Sequence, residues 1–229
     1  MQSLENENWW YQSRKHLIHL LVTKFAMKID YMIDVGCGNG MILHSFSNIE
    51  KRIGIETHPL AVSNAREKGL TIMDSIRETP DQADLVLLMD VIEHVPDDVT
   101  FLKEVLAKLS SDGKAIITVP AFQWLWSIHD EKVHHFRRYS KKSLNACIQK
   151  AGGKVDHLSY WNAIFFLPAM ARKWFPHGKD ESDLKPIWGP LNNLMYHLVC
   201  FENSFSSKIS IPFGTSVYAV VSKGDSSME

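Results

Sequence analysis

Tyr31-Met32-Ile33-Asp34-Val35-Gly36-Cys37-Gly38-Asn39-Gly40 is the stretch on which the fold turns. A short β-prone apolar run ends in three glycines at alternate positions and gives way to Met41-Ile42-Leu43, the form of a strand, a tight turn and a helix start. Glycine at 36 and 38 lets a ligand approach backbone that side chains would otherwise cover. Downstream, β-rich runs at 52–56, 70–73, 85–89 and 114–119 alternate with helical patterns, the sequence form of βαβ units and a parallel sheet. The spacing predicts a helix over 59–68, with Thr57 as N-cap and Gly69 as stop, and another over 98–109, with Val99, Leu102, Val105, Leu106 and Leu109 on one face. A third is expected over 141–151, capped by Ser140, and strands follow at 154–160 and 216–222. Two segments break the alternation, 120–139 and 161–212. Both carry tryptophan and histidine and read as insertions, the first lying beyond a strand's carboxyl end, where open α/β sheets bind ligands.

The chain of 229 residues is 45% hydrophobic and 22% charged, enough for one ordinary globular core. A formal net charge of −1 gives no general attraction to nucleic acid or to an acidic membrane. Cys37, Cys147 and Cys200 are scattered, without metal-ligand or disulfide-framework spacing, which fits a reducing compartment. No basic stretch followed by an apolar core opens the chain, so a cytoplasmic location is expected. The apolar run at 163–171 is too short to span a bilayer, which leaves peripheral membrane contact open.

A dinucleotide fingerprint requires glycine three residues after Gly38, where Met41 stands. Asp34 points the same way, because a carboxylate two residues before the first glycine repels a pyrophosphate and attracts an ammonium group. Glu56 closes the second strand, where a carboxylate accepts hydrogen bonds from ribose hydroxyls, and Asp74 closes the third, within reach of an adenine amino group. Three acids at three successive strand ends outline one nucleoside-shaped site.

Asp34 to Gly40, with Glu56, Asp74 and Asp90-Val91-Ile92-Glu93-His94-Val95, closely resembles the class I S-adenosylmethionine-dependent methyltransferases, in the small-molecule branch called type 11 or 12. The resemblance extends to Trp9-Trp10-Tyr11 with Arg14, Val119-Pro120-Ala121, Trp124-Leu125-Trp126 with His129-Asp130-Glu131, His135-Phe136-Arg137-Arg138-Tyr139 and Pro212-Phe213-Gly214. It implies a Rossmann-like α/β fold: a seven-stranded, mostly parallel sheet with helices on both faces, the last strand antiparallel, and helical insertions covering the active site. One domain over 1–229 is expected, with an N-terminal helical cap (1–30), a cofactor-binding core (31–160), an insertion (161–212) and a last strand (213–223). By the same resemblance, Asp34 with Gly36, Cys37 and Gly38 receives the methionyl part of S-adenosylmethionine, Glu56 with Thr57 the ribose, and Asp74 with Ser75 the adenine. Asp90 and Val91 line the methionyl side, and Trp10 and Arg14 reach in from the cap. His134 departs from the pattern, which has glycine there, and a different local backbone is expected.

Methyl transfer from a sulfonium is an in-line displacement in which positioning supplies most of the catalysis. A hydroxyl acceptor must also lose its proton, for which a neutral histidine is suited. His135 ranks first and His129 second, with His94 read as a wall of the cofactor pocket. Arg137 and Arg138 suggest an anionic acceptor. Ala163-Ile164-Phe165-Phe166-Leu167-Pro168-Ala169-Met170, with Arg172, Lys173 and Trp174 after it, suggests an apolar roof over a partly hydrophobic one, the alternative being a helix buried against the sheet. No metal is expected, since His134 and His135 lack a nearby third ligand. The expected reaction is O-methylation of a sugar, lipid-linked or secondary-metabolite acceptor. A nicotinamide-dependent oxidoreductase and a non-catalytic S-adenosylmethionine-binding module are the alternatives; a nucleic-acid substrate is not expected, because Asp90-Val91-Ile92-Glu93 replaces the Asn/Asp-Pro-Pro-Tyr-like tetrapeptide of such enzymes.

Overall fold

Side-chain alternation in β1 (Tyr31–Val35) sets the layers: Ile33 and Val35 join one core, and Met32 on the opposite face joins the other. The same division runs through β4 (Ala83–Met89), where Val86 and Leu88 face one side and Leu85 and Leu87 the other, so the sheet is buried on both faces. These elements belong to a computed structural model that describes residues 8–25, 28–174 and 188–224. β2 (Lys51–Ile55), β3 (Thr71–Met73), β5 (Leu109–Pro120), β6 (Gly153–Trp161) and β7 (Ser216–Lys223) complete a seven-stranded sheet in the order β3-β2-β1-β4-β5-β7-β6. β1 to β5 are parallel, and β7 lies antiparallel between β5 and β6, the Rossmann-like architecture expected from the sequence.

One face is covered by α4 (Asp98–Ala107), through Leu102, Val105 and Leu106, and by α6 (Lys141–Lys150), through Leu144 and Ile148. The other carries α1 (Trp9–Phe25), through Leu17, Ile18 and Leu21, and the five-residue α2 (Met41–Ser45). α3 (Pro59–Glu67) buries Ala65 beside them. In the insertion, a 3₁₀ turn (Ala163–Phe165) leads to α7 (Phe166–Trp174), and α8 (Gly189–Ser206) packs along α1. Asn203, fully buried on α8, ties the layer together: its Oδ1 accepts from Trp161 Nε1 at 2.7 Å and its Nδ2 donates to the Ser13 carbonyl at 2.8 Å. Residues 175–187 of the insertion lie outside the described residues.

Three expectations are corrected. His58, not Thr57, is the N-cap of α3, because Pro59 at the first helical position forces the preceding residue into extended backbone. Leu109 leaves the helical face of α4 to start β5, pairing beside Ala83. His134 keeps a glycine-like backbone, with φ +59°, rather than altering it.

Candidate active site

The carboxyl ends of β1, β2 and β4 converge on the Gly36–Gly40 turn. Gly36, Gly38 and Gly40 all take positive φ, and a Cβ on Gly36 would stand 2.9 Å from Val91 Cγ2, so glycine there permits the close approach of the β1 and β4 loops. A Cβ on Gly38 would meet nothing within 4 Å, which leaves open space above the turn. Four amides of this turn are already engaged. Gly36 and Cys37 both donate to the Ile55 carbonyl (2.8 and 3.1 Å), Gly38 to Glu56 Oε2 (3.0 Å) and Gly40 to the Cys37 carbonyl (2.9 Å). A pyrophosphate cradle needs free amides. The geometry therefore agrees with Met41 and Asp34 in setting this loop apart from dinucleotide binders.

Asp34 is 2% exposed. Burial pushes its carboxyl up to about 7; Arg14 opposes that rise and Glu56 adds to it. Arg14 reaches the sheet from α1 and bonds Asp90 Oδ2 at 2.9 Å, while Thr118 donates to Asp90 Oδ1 at 3.0 Å. Asp90 itself takes φ +57°, a conformation a non-glycine residue adopts at a cost, and its amide donates to the Thr118 carbonyl. Glu56 Oε1 accepts from the amides of Thr57 and His58, each at 2.8 Å, so the carboxylate holds the β2–α3 turn and the glycine turn at once.

Asp34, Gly36, Gly38, Glu56, Asp90, Val91 and Arg14 are thus joined by direct contacts or close charges. Thr57 contributes its amide to Glu56. Trp10 stacks at a tilt on the buried Trp161, 5.1 Å between centroids, and lines this end of α1. Cys37 is turned inward instead: its Sγ lies where a Cβ on Gly54 would come within 2.5 Å, and its thiol is raised by burial. Asp74 is exposed just beyond β3, and Ser75 caps a 3₁₀ turn (Ile76–Glu78) by accepting from Arg77 N at 3.2 Å.

The 120–139 segment places the histidines. In α5 (Ile128–Lys132), His129 is exposed. His135 is held by its Nδ1 to Asp130 Oδ1 at 2.8 Å. Asp130, fully buried, also receives both arms of Arg138 (2.7 and 2.8 Å) and the amide of Ser127 (2.8 Å). Burial opposes its ionisation, but the bonds from His135 and Arg138 hold it well below the usual carboxylate range. Arg137 pairs with Asp98 at 2.8 Å and donates to the Pro96 carbonyl. Both arginines are thereby committed to structural carboxylates, which removes the reason for expecting an anionic acceptor. Glu93, given no role by the sequence reading, is fully buried directly beside His135.

No residue described between Ala163 and Ala171 is fully buried, so this stretch is a cover rather than a helix sunk against the sheet. Phe165 stacks on Trp9 at 4.6 Å, and Phe166 meets Phe122, Trp124 and Phe213 at 5.5–5.9 Å between centroids. Glu202 from α8 anchors this cover by accepting from the amides of Ala163 and Ile164 (3.0 and 3.3 Å). Of the expected basic and aromatic flank, the side chains of Lys173 and Trp174 lie outside the described residues. A separate surface hollow between Asp30, Lys51 and Thr71 sits at the opposite, amino-terminal strand ends, away from where open α/β sheets bind ligands.

Residues 7–158 match a family model described as a methyltransferase domain. The chain belongs to the methyltransferase domain family. Curated relatives include the ubiquinone biosynthesis O-methyltransferase of Aeromonas salmonicida (strain A449), 30% identical over 99 residues, covering 38% of this chain and 42% of that one. The enzyme of the same name from Xanthomonas euvesicatoria pv. vesicatoria (strain 85-10) is 26% identical over 153 residues, covering 56% and 64%. The matches span about two fifths to two thirds of the length of these relatives. Among solved structures, the fold is similar to that in a complex of the Haloferax volcanii Trm112 methyltransferase activator with a putative methyltransferase (TM-score 0.63, 17% identity, covering 100% and 94%). It is also similar to the [4+2]-cyclase SpnF (TM-score 0.60, 18% identity, covering 94% and 83%). At such identities the likeness is one of fold. Among the described residues no helix is long and apolar enough to cross a membrane.

Proposed function

We propose that this methyltransferase-family chain moves a methyl group from S-adenosylmethionine to a hydroxyl of a small, partly apolar molecule. The observation that carries the reading is the buried Asp34 beneath an open glycine turn in which the amides of Gly36, Cys37, Gly38 and Gly40 are already bonded within the protein: a site for a cation, not for a phosphate. Asp34 would take the methionyl ammonium, Glu56 the ribose, and Asp74 with Ser75 the adenine. The Glu56 carboxylate has three of its roughly four acceptor positions filled by backbone amides. Bonding both ribose hydroxyls therefore requires one amide, such as that of Gly38, to be released. When bound, the cofactor supplies an electrophilic methyl on a sulfonium. Arg14 and Asp90 brace the β4 loop beside that position, and the Phe122, Trp124 and Phe166 cluster offers an apolar wall to the acceptor. The hydroxyl preference is supported by the relatives, which are named as ubiquinone biosynthesis O-methyltransferases.

Calorimetry with S-adenosylhomocysteine and with a nicotinamide dinucleotide tests the cofactor half; binding of the dinucleotide alone refutes it. Transfer of labelled methyl groups to matched phenol and amine acceptors tests the rest. Label on the amine only removes the O-methylation reading, and tight cofactor binding without transfer to either favours a binding module.

A further inference from the structure

Among the described residues, Glu93 is the fully buried acid whose carboxylate has no partner. It is fully buried in the middle of the 3₁₀ turn after β4 (Ile92–His94), and neither carboxylate oxygen has a hydrogen-bond partner. A buried carboxyl group with no partner has given up its bonds to water without replacing them, and such a group in a native fold calls for a physical reason. The reason lies in what surrounds it. One donor atom each from Glu93, His94 and His135 falls within 4.8 Å of the others. His135 Nε2 is 3.9 Å from Glu93 Oε1, too far for a hydrogen bond. A cation with metal–nitrogen and metal–oxygen bonds of about 2.0–2.2 Å would bridge that gap after a small contraction.

The surroundings are arranged for ligation. Asp130 grips Nδ1 of His135 and leaves Nε2 facing Glu93. A carboxylate holding the remote nitrogen is the usual support of a metal-bound histidine, since it fixes both ring orientation and tautomer. Asp130 is itself fixed by Arg138 and Ser127, so the His135 ring is anchored two layers deep. The His94 ring meets His135 edge-on at 4.5 Å between centroids. Were His135 only a bridge between two acids, its Nε2 would sit within hydrogen-bond distance of Glu93, and it does not.

We propose that Glu93, His94 and His135 hold one divalent transition-metal cation, with a coordination position left open on the exposed His94 side. Two imidazoles and one carboxylate suit zinc, iron, cobalt or manganese better than magnesium or calcium, which favour all-oxygen shells. The sequence gives little sign of it, because the third ligand stands some forty residues after the first two and beside a second histidine, His134, that takes no part. That the open position receives the acceptor's oxygen, next to Asp90 and the proposed methyl donor, rests on the methyl-transfer reading; the metal site itself does not.

The test uses untagged full-length protein stripped with a chelator and titrated with cobalt(II), followed by visible absorption, with zinc(II) competition and elemental analysis for stoichiometry. One equivalent should bind with the ligand-field bands of a low-symmetry nitrogen and oxygen site. Asp130→Asn should weaken binding roughly 10–100-fold, the usual effect of losing a ligand's support, and His94→Ala and Glu93→Gln at least as much. His94 is exposed, so its variant keeps the test valid even where Glu93→Gln fails to fold. A wild type that takes up no stoichiometric metal, or a His94→Ala variant that binds as tightly as wild type, overturns the site. S-adenosylhomocysteine binding is measured on the same samples. Cofactor binding without metal overturns the site and leaves the methyl-transfer reading standing; metal uptake without cofactor binding supports the site and removes that reading.

Discussion

Replacing Asp34 by asparagine separates what the site needs from what the fold needs. The carboxyl is buried, and its pKa rises from 3.8 to about 7. An acid whose pKa is raised by folding stabilises least when ionised: its full contribution is present below the unfolded value and is lost as pH climbs through the folded one. At 1.36 kcal/mol for each pH unit between the two values, the unliganded wild type forfeits at most on the order of 4 kcal/mol by pH 8 relative to pH 4 through this group alone. Asp34→Asn should therefore leave stability near wild type at pH 4 and raise it by up to that amount at pH 8, read as the shift in denaturant midpoint. The same substitution removes the partner of the ligand's ammonium, worth about 1.5–3 kcal/mol, so cofactor affinity near pH 7.5 should fall roughly 10–150-fold. Wild-type affinity should itself drop about tenfold per pH unit below 7, as Asp34 must be ionised to bind, and should fall again above about 8 as the ligand's amine loses its proton. The variant should lack the acid limb. An asparagine variant that is less stable than wild type at pH 8, or that binds cofactor equally well with the same pH profile, would refute the reasoning.

Arg14→Ala should move the acid limb of cofactor binding to higher pH, because Arg14 is what opposes the rise at Asp34; an unmoved limb in calorimetry across pH would remove that coupling. Asp130→Ala strands the Arg138 guanidinium, which is 13% exposed, and releases His135, so stability should drop by about 3–5 kcal/mol in chemical denaturation. The loss should shrink toward strongly acid pH, where the lowered Asp130 pKa finally protonates the wild-type carboxylate. His134→Gly should stabilise by about 1 kcal/mol, since φ +59° is strained for histidine and free for glycine; a lower midpoint would show that the ring contributes more than the backbone loses. Amides at 163–171 should exchange quickly in the free protein and become protected when acceptor binds, and strong protection beforehand would identify a fixed wall.

The sequence by itself determined the sheet and part of the candidate site, because both rest on local rules. A strand, a glycine turn and a helix start are written in consecutive residues, and strand ends in a parallel sheet fall side by side, so Asp34, Glu56 and Asp74 could be set at neighbouring strand ends before any coordinates; the structure brings the charges of Asp34 and Glu56 together and leaves Asp74 exposed beyond β3. Boundaries slipped where a neighbour overrode local preference: Pro59 dictated the cap at His58, and sheet pairing with Ala83 drew Leu109 out of its helix. Only the tertiary structure decided which partners the 120–139 segment meets. Arg137 and Arg138 read as a basic mouth along the chain, yet Asp98 and Asp130 neutralise them across the fold. Glu93 reads as one more acid in a strand-end loop until the crossing of the β5 insertion buries it against His135. Burial and long-range pairing depend on which surfaces meet. Residues some forty positions apart acquire a common environment, and hence a common chemistry, only once the layers between them have packed.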